Sequence, residues 1–402
     1  MTLEAQLETL RRGTLEIIGE DDLISKLKSG RKLRVKLGVD PTVGHVTLGW
    51  AVVLRKLRDF QRLGHTACLI IGDFTAQIGD PSGKSKTRPQ LTREQVRANV
   101  EAVSSQMYKI LDPDQTEILF NRDWLGPMTF EDVIRLAGRT TVARILERDD
   151  FTNRLEEHRP IALHEILYPL CQAYDSVAMR ADIELGGSDQ KFNNLMGRTL
   201  MSQFEMEPQV VMLSPLLVGT DGKEKMSQSL GNYVSIIDEP NDMYGKTMSI
   251  PDELMANWFE LCTDVPLGEV RDLCAQAAAG TVNPRDVKQR LAREIVALYH
   301  SQEAADEADA YFVRTFSERK QPIEAEEAPI PAELASEGAV GIAVLVAALG
   351  LAKSNSDARR LMQAGAVRLD DEKVTEPMAA CPADDLRGKV LRVGKHQFRK
   401  LS

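Results

Sequence analysis

The chain has 402 residues, of which 43% are hydrophobic and 27% charged, and its formal net charge is −10. The length predicts two or three domains, and the composition is ordinary for a globular protein. So acidic a total argues against a general nucleic-acid binder. The longest uncharged apolar run, GIAVLVAALGLA from Gly341, is too short to span a bilayer, so no membrane contact is expected.

The N-terminal residues and the cysteines bear on the compartment. The first residues, MTLEAQLETLRRG, lack the apolar core of a signal peptide, so we expect a cytoplasmic protein. The five cysteines, at positions 68, 171, 262, 274 and 381, are scattered and include no C-x-x-C pair. Neither a disulfide framework nor a zinc site is therefore indicated, and no metal ligands are expected in the chain.

The first half of the chain alternates between strand-like and helical patterns. LRVKLGVD (33–40) and TACLIIGD (66–73) are short, β-branched and apolar, as buried parallel strands are. Between them, LGWAVVLRKLRDFQRLG (48–64) has apolar residues at helical spacing and ends on a glycine. Strand, helix and strand in this order predict an α/β fold with a Rossmann-type doubly wound parallel sheet. In such sheets ligands bind beyond the carboxyl ends of the strands.

The rest of the chain divides into further segments. FEDVIRLAGRTTVARILERDD and LHEILYPLCQAYDSVAMR predict helices, ADIELGGSDQKFNN predicts a strand, a glycine turn and a helix, and VVMLSP predicts another strand. After about Pro240 the pattern is helical, up to a segment rich in Pro, Glu and Ala that predicts a linker. We expect a Rossmann-type domain at 1–235, an α-helical domain at 236–316, a linker at 317–340 and a small α+β domain at 341–402.

Charge is distributed unevenly between the ends of the chain. From Leu351 to Ser402 there are eleven Lys or Arg against seven Asp or Glu, a net charge of +4, so the first 350 residues carry −14. This asymmetry is expected if the C-terminal end contacts a polyanion. A solvated basic surface would explain the charge equally well.

A loop rich in turn formers follows the second predicted strand. IGDPSGKSKTRP (78–89) carries Lys84 and Arg88, and backbone N–H groups with cations on such a loop suit a polyphosphate. The glycine spacing of a Walker A loop is absent. Taken alone, an exposed basic turn is the favoured interpretation.

Two later loops also have the composition of ligand-binding loops. LGGSDQ (185–190) places Gly186 and Gly187 where backbone can approach a ligand, next to an acid that can accept from ribose hydroxyls. The same residues also make an ordinary turn. DGKEKMSQS (221–229) carries two lysines and could simply be solvated. Each loop alone is a weak signal.

Three polar residues occupy one face of a helix that otherwise looks buried. Tyr168, Gln172 and Asp175 lie at i, i+4 and i+7, which places them on the same face. A core helix seldom buries such a row without a partner. A pocket for a polar small molecule is therefore favoured.

These motifs, in this order, resemble the tyrosyl-tRNA synthetases over essentially the whole chain. The resemblance covers GVDPT, IGDPSGKSKTRP, LYPLCQAYDS, GGSDQKFN and KMSQS, and SNSDARRLMQAGAVRLDDEKVT at the end resembles an S4-type RNA-binding domain. It implies a bacterial class I enzyme of the branch that ends in an S4 domain. It also implies that 236–316 is an anticodon-binding domain, and that the protein is a homodimer built through the helices around 125–160.

The resemblance implies a role for each matching residue. Tyrosine binding is implied for Lys36, Gly38, Asp40, Thr75, Asp80, Tyr168, Gln172, Asp175 and Gln190. ATP binding is implied for Asp40, Thr42, Gly49, Trp50, Gly187, Asp189, Leu217, Val218, Lys225, Met226 and Ser227. Direct action on the reaction is implied for Lys84, Arg88, Lys225, Thr47 and Gln190, and contact with tRNA for Arg359 and Arg360. ATP would act as a substrate with Mg²⁺, without any bound organic cofactor.

Two motifs depart from the family pattern. HIGH aligns onto Thr47-Leu48-Gly49-Trp50, so both histidines are replaced, and the second lysine of KMSKS is Gln228. His45 lies two residues upstream of the motif. The hydroxyl of Thr47 and the indole N–H of Trp50 can donate hydrogen bonds, but neither carries charge.

The expected function is a tyrosine–tRNA ligase that activates L-tyrosine with ATP and transfers it to tRNA(Tyr). Two alternatives stay open at this point. One is a paralogue that activates tyrosine or an analogue for metabolism or inhibitor resistance. The other is a non-catalytic protein that binds tyrosine or tRNA.

Overall fold

The computed structural model describes residues 1–39, 44–77, 93–317, 326–331, 334, 338–370, 372–394 and 397–402. The chain forms two compact units, residues 1–305 and residues 306–402. The helical region expected at 236–316 lies mostly in the first unit.

A six-stranded sheet is the centre of the first unit. Its strands are β1 (Glu16–Ile18), β2 (Arg34–Val39), β3 (Thr66–Ile71), β4 (Thr116–Phe120), β5 (Ile183–Gly187) and β6 (Val210–Ser214). Their order is β1-β6-β5-β2-β3-β4, with β1 antiparallel to β6 and every other neighbouring pair parallel. The predicted doubly wound parallel sheet is confirmed.

The order of the strands positions a ligand site. From β2 the chain moves outward through β3 and β4, then returns to the other side of β2 with β5 and β6. The carboxyl ends of β2 and β5 therefore border the crevice where the winding direction reverses. Ligands of doubly wound folds bind at this point.

Helices cover the sheet and extend beyond it within the first unit. They are α1 (Leu3–Arg11), α2 (Glu20–Lys28), α3 (Leu48–Arg62), α4 (Arg93–Met107), α5 (Arg122–Leu125), α6 (Phe130–Ala137), α7 (Val142–Ile145), α8 (Asp149–Glu156), α9 (Leu163–Met179), α10 (Lys191–Gln203), α11 (Pro240–Met248), α12 (Met255–Cys262), α13 (Leu267–Ala278) and α14 (Pro284–Tyr299). The next helix, α15 (Gln302–Phe312), crosses the boundary between the units. Among the described helices, none has the length and apolar character needed to cross a membrane.

Helix α9 is held against α10 by an apolar core. Leu170, Ala173 and Val177 of α9 pack with Met196 and Leu200 of α10. The apolar residues recur at helical spacing, so they occupy one stripe of α9. This packing leaves a second, polar stripe of α9 to face the carboxyl ends of the strands.

The second unit has its own sheets and core. Its elements are β7 (Glu326–Ala328), β8 (Val340–Gly341), α16 (Ile342–Ala348), α17 (Asn355–Gln363), β9 (Val367–Leu369), β10 (Glu372–Lys373), β11 (Ala380–Cys381), α18 (Ala383–Leu386), β12 (Val390–Val393) and β13 (Gln397–Leu401). The larger sheet has the order β10-β9-β12-β13-β7, and β8 pairs with β11. Helices and sheets enclose one apolar core, so this unit is the small α+β domain expected near the C-terminus.

The segment expected as a linker differs from that expectation in its described part. Strand β7 runs parallel to β13, and Ile330 and Val340 are buried in the core of the second unit. Ala328 and Ile330 are buried and Pro329 between them is exposed, as in a strand with one buried face. High Pro and Glu content hid this two-residue alternation.

Candidate active site

A cavity of about 570 Å³ opens at the carboxyl ends of β2 and β5. Most residues singled out in the sequence line it, namely Gly38, Thr47, Gly49, Trp50, Thr75, Tyr168, Gln172, Asp175, Gly187, Asp189, Gln190, Leu217, Lys225, Met226 and Ser227. The expectations for Asp40, Thr42, Asp80, Lys84 and Arg88 lie outside the described residues. Lys36 and Val218 lie next to the cavity but not on its wall.

Asp175 is a buried carboxylate that ends the polar face of α9. The indole Nε1–H of Trp124 donates to Asp175 Oδ1 at 2.8 Å, and Asn121 Nδ2 donates to Oδ2 at 3.5 Å. Burial raises the pKa of Asp175 to about 7, although the charge of Lys36 and the two donors act to lower it. Neither Trp124 nor Asn121 was identified from the sequence.

Gln172 and Gln190 are oriented by a shared partner. Asn193 Nδ2 donates to Gln172 Oε1 at 2.9 Å and to Gln190 Oε1 at 3.1 Å, while its own Oδ1 accepts from Arg148 at 2.9 Å. Arginine can only donate, so Arg148 fixes which way the Asn193 amide points. Both glutamine oxygens are consequently occupied by Asn193. Arg148 and Asn193, which were not identified from the sequence, thus set the orientation of two predicted site residues.

Lys36 is placed behind the cavity wall. Its side chain is 1% exposed, and its Nζ lies 2.8 Å from Glu184 Oε1. The same ammonium donates to Ser176 Oγ at 2.8 Å and to the backbone carbonyl of Gln172 at 3.1 Å. These bonds engage the ammonium of Lys36 within the protein and therefore argue against a direct contact with a ligand.

The opposite wall of the cavity is formed by the glycine turn after β5 and by the loop around Lys225. A Cβ added to Gly187 would lie 2.7 Å from Asp189 Oδ1 and 3.0 Å from Leu216 Cδ2, so a side chain does not fit there. Asp189 Oδ2 accepts from Lys225 Nζ at 2.9 Å. An acid and a cation expected to hold different parts of ATP are thus bonded to each other.

Backbone bonds hold the loop in place beside the cavity. Met226 N donates to the carbonyl of Leu217 at 2.7 Å, and Val218 forms an isolated bridge with Lys225. The carbonyl of Val218 also accepts from the indole N–H of Trp258 at 3.1 Å. The loop is therefore attached to the cavity wall through main-chain groups at two neighbouring positions.

The altered HIGH motif forms the start of α3. Thr47 is the N-cap of the helix, and its Oγ1 accepts from the N–H of Trp50 at 3.4 Å. The Thr47 oxygen thus satisfies one helix donor, as threonine does at many helix starts, and one O–H remains to donate. The N–H of Gly49 points to Met226 Sδ at 3.2 Å.

Gln228 connects the altered KMSKS motif to the segment just before the altered HIGH motif. Its Nε2 donates to the backbone carbonyl of His45 at 2.6 Å. A neutral amide therefore joins the loop that carries Lys225 to the segment before α3. The sequence offered no signal for this bond, because it joins positions far apart in the chain.

The two arginines expected to contact RNA lie on the second unit. Arg359 and Arg360 are exposed on α17, whose opposite face buries Ala358 and Met362. Arg360 Nη2 donates to Asp357 Oδ1 at 2.7 Å. Both guanidinium groups belong to the solvent-facing side of this helix.

Comparisons with known proteins agree with these features. The family model of the "tRNA synthetases class I (W and Y)" matches residues 28–317, and the model of the S4 domain matches residues 340–381. Tyrosine–tRNA ligase of Moorella thermoacetica is 52% identical over 98% of this chain and 95% of its own length, and that of Thermotoga maritima is 49% identical over 100% and 98%.

Solved structures share the fold of most of the chain at low identity. The tyrosyl-tRNA synthetase of Archaeoglobus fulgidus, solved in complex with L-tyrosine, aligns with a TM-score of 0.63 at 22% identity, covering 77% of this chain and 100% of that one. That similarity shows the fold. The two tyrosine–tRNA ligases named above match nearly the whole chain, and about half of the aligned residues are identical. The chain therefore belongs to the class I tyrosine–tRNA ligases that end in an S4 domain.

Proposed function

We propose that the chain is an active tyrosine–tRNA ligase, which converts L-tyrosine and ATP to tyrosyl-adenylate and pyrophosphate and then transfers the tyrosyl group to tRNA(Tyr). The observation that carries the proposal is the buried Asp175 at the end of the polar stripe of α9, inside the cavity at the reversal point of the sheet. A buried carboxylate facing a cavity is suited to a single hydroxyl donor. Neither altered motif includes Asp175 or its donors Trp124 and Asn121.

Recognition of tyrosine would use the polar stripe of α9 and the turn after β5. Asp175 would accept from the phenol hydroxyl, while Tyr168 and Gln172 hold the ammonium group and Gln190 lies near the carboxylate. A site built to bond a hydroxyl rejects the analogue that lacks it, and tyrosine against phenylalanine is itself the standard illustration of this rule. Thr75, which accepts from Asn121 at 3.0 Å, belongs to the same end of the cavity.

The remaining tyrosine contacts implied by the resemblance complete the pocket. Gly38 lines the cavity at the end of β2. Asp40 and Asp80 would add carboxylates near the ammonium group of the substrate. These assignments are part of the proposal.

ATP would bind along the opposite wall. The backbone at Gly187 would approach the nucleotide closely, Asp189 would accept from the ribose, and Leu217 and Val218 would hold the adenine. Gly49 at the start of α3 would leave space for the adenine. Thr42, Met226 and Ser227 complete the ATP-binding set, and ATP enters as its Mg²⁺ complex.

The reaction needs no protein nucleophile. A carboxylate oxygen of tyrosine attacks the α-phosphorus of ATP, and the bond to the pyrophosphate oxygen breaks. Lys84, Arg88 and Lys225 would stabilise the negative charge on the leaving pyrophosphate. Thr47 and Trp50 would supply neutral donors where the family has histidines. Positioning of the two substrates accounts for the remainder of the acceleration.

Exchange of labelled pyrophosphate into ATP, dependent on tyrosine, tests the proposal directly. We expect exchange by the full-length chain, and loss of the preference for tyrosine over phenylalanine in Asp175→Ala. The absence of any exchange, together with normal tyrosine binding by calorimetry, would instead identify a binding protein with a synthetase fold. An unchanged preference in Asp175→Ala would remove the assignment of that residue.

Transfer to tRNA would use the second unit and the α-helical region at 236–316, which we propose as the anticodon-binding domain. Arg359 and Arg360 would contact phosphates, which contribute affinity without sequence choice. A deletion that begins before Glu326 should weaken tRNA charging and spare pyrophosphate exchange. A deletion from Pro331 is less suitable, because it would leave β7 without its partner strand β13.

We also propose a cytoplasmic homodimer. Four large apolar side chains between 130 and 163 are more than half exposed, namely Phe130 at 79%, Ile134 at 57%, Val142 at 59% and Leu163 at 79%. These side chains lie on the helices through which the family resemblance implies a dimer, and large exposed apolar side chains suit a protein–protein contact. Phe130→Glu should convert the dimer to a monomer in sedimentation velocity, and an unaltered sedimentation coefficient would oppose this surface.

A further inference from the structure

A buried ion pair lies at the wall of the tyrosine pocket, with Glu184 among the residues that line the cavity and Lys36 behind it. Lys36 on β2 and Glu184 on β5 are neighbours in the register of the two parallel strands. Their side chains are 1% and 2% exposed, and Lys36 Nζ lies 2.8 Å from Glu184 Oε1. Two charges withdrawn from water are favourable only when both are paired and fully hydrogen-bonded.

Every strong partner of this pair is a polar group within the core. Lys36 uses its other donors on Ser176 Oγ and on the carbonyl of Gln172. Glu184 Oε2 accepts from Ser176 Oγ at 3.3 Å and also from the amide of Gln209. The charged groups of the pair are thus all engaged, although Gln209 Oε1 has no hydrogen-bond partner among the described residues. A buried polar network of this kind favours one arrangement of the elements that it joins.

Gly197 on α10 makes room for the network. A Cβ at this position would lie 2.7 Å from Gln209 Nε2, 3.0 Å from Ser176 Oγ and 3.2 Å from Glu184 Oε2. The helix is therefore free of a side chain at the one point where the polar groups converge. Two strands and two helices meet there, and one of the helices is α9.

The network is bonded to α9 at positions before and after Asp175. Gln172 is bonded through its carbonyl and Ser176 through its hydroxyl, and Asp175 lies between them. Hydrophobic residues of similar volume would stabilise the fold as well as an ion pair does. What they could not supply is a directional bond that fixes the rotation of α9 over the sheet.

The pair also affects the charge of Asp175. The ammonium of Lys36 lowers the pKa of Asp175, and the carboxylate of Glu184 raises it. The other groups that act on this carboxyl are the donors Trp124 and Asn121, and the thiol of Cys171 is a neighbour whose own pKa Asp175 helps to raise. Removal of Lys36 alone would therefore leave Glu184 acting on Asp175 without a compensating cation.

We propose that Lys36 and Glu184 are positioning residues for tyrosine recognition, which act by fixing α9 and not by touching the substrate. The inference rests on the proposed function for its substrate. It differs from the role that the family resemblance implies for Lys36, which is direct tyrosine binding. The two roles predict different behaviour toward tyrosine and phenylalanine.

Three variants of the full chain separate the two roles: Lys36→Met, Glu184→Gln, and the double variant that combines them. If α9 is mispositioned, kcat/KM for tyrosine and for phenylalanine should both fall, by roughly 10- to 100-fold, because even small displacements of binding groups are costly. KM for ATP should stay unchanged. If Lys36 instead contacts the phenol hydroxyl, kcat/KM should fall for tyrosine and not for phenylalanine, and Glu184→Gln should have little effect.

The pH dependence of tyrosine binding gives a second readout, measured by calorimetry independently of catalysis. In Lys36→Met the pH midpoint should move upward, because the carboxylates lose their cation. In the double variant, where neither charge is present, the midpoint should return toward that of the unmodified chain while the weakened binding persists. If Lys36→Met fails to fold, the double variant carries the test, because it buries no unpaired charge.

Lys26→Met is the matched control. Lys26 is also a buried lysine of this unit, but its Nζ pairs with Glu207 at 2.5 Å, and neither residue lines the cavity. It should lower stability without changing binding of tyrosine. Unchanged tyrosine binding in both Lys36→Met and the double variant would overturn the proposal, as would equal losses for tyrosine and ATP. If the unmodified chain bound tyrosine but catalysed no pyrophosphate exchange, the proposed function would be wrong and the positioning role of the pair would be unaffected.

Discussion

Asp175→Asn is the most informative single substitution, because the same burial that prepares this carboxyl for a hydroxyl also opposes folding. Burial raises the pKa of Asp175 to about 7, whereas an aspartate in an unfolded chain has a pKa of about 3.9. Between these values the folded protein holds a proton that the unfolded chain has released. The contribution of Asp175 to stability is therefore fully present below the unfolded pKa and is lost as the pH rises through the folded pKa.

The size of the loss follows from the pKa difference. One pKa unit corresponds to about 1.36 kcal/mol, so between about pH 5.5 and about pH 8 the free energy of unfolding should fall by about 2 kcal/mol through this group. Asparagine cannot ionise, and it keeps an oxygen for one of the two donors, Trp124 or Asn121. The variant should therefore lack this pH-dependent loss of stability.

Urea unfolding of the two proteins at a series of pH values measures the effect. From about pH 5.5 to about pH 8, the free energy of unfolding of Asp175→Asn minus that of the unmodified chain should increase by about 2 kcal/mol. In pyrophosphate exchange the same variant should no longer prefer tyrosine to phenylalanine. Two stability curves that stay parallel over the whole pH range would refute the pKa argument, even if the preference for tyrosine were lost.

The other predictions concern the altered motifs and the second unit. The double variant Trp50→His with Gln228→Lys should raise the rate of adenylate formation in a stopped-flow assay. Tyrosine affinity should stay unchanged, because the added imidazole and ammonium act on the triphosphate. A slower rate would show that the neutral Gln228 bond is required. Adding Thr47→His should cost about 1 kcal/mol of stability through the lost helix cap, measurable by urea unfolding, and equal stability would contradict the cap. Arg359→Glu with Arg360→Glu should weaken tRNA binding and flatten its salt dependence, measured by filter binding, whereas an unaltered slope would exclude phosphate contacts.

The elements near the site could be predicted because they are local patterns. The strands expected at 33–40 and 66–73 are present as Arg34–Val39 and Thr66–Ile71, and the helix expected at 48–64 is present as Leu48–Arg62. Tyr168, Gln172 and Asp175 line the cavity, as their spacing along one helix face indicated. Periodicity within one element is readable without knowledge of any partner.

The groups that orient these residues could not be predicted, since each reaches the site from a distant part of the chain. Trp124 is separated from Asp175 by 51 positions, and Glu184 occupies an apolar strand where a charge has no evident purpose. A buried charge in the middle of such a strand was the one available signal of the Lys36 pair. The position of β7 was hidden for a different reason, because its alternation involves only two buried residues in a segment rich in Pro and Glu.

In the proposed ATP site, the bond between Lys225 and Asp189 would make nucleotide binding an exchange of ionic partners. At 2.9 Å the two groups partly neutralise each other, so a phosphate that draws Lys225 away from Asp189 replaces one ionic contact with another. Added salt weakens this opposing bond as well as the phosphate contact that replaces it. KM for ATP should consequently rise less steeply with ionic strength in the unmodified chain than in Asp189→Asn, where only the phosphate contact remains to be screened. This partial compensation would let the ligase keep a steady rate of nucleotide capture while the salt concentration around it changes.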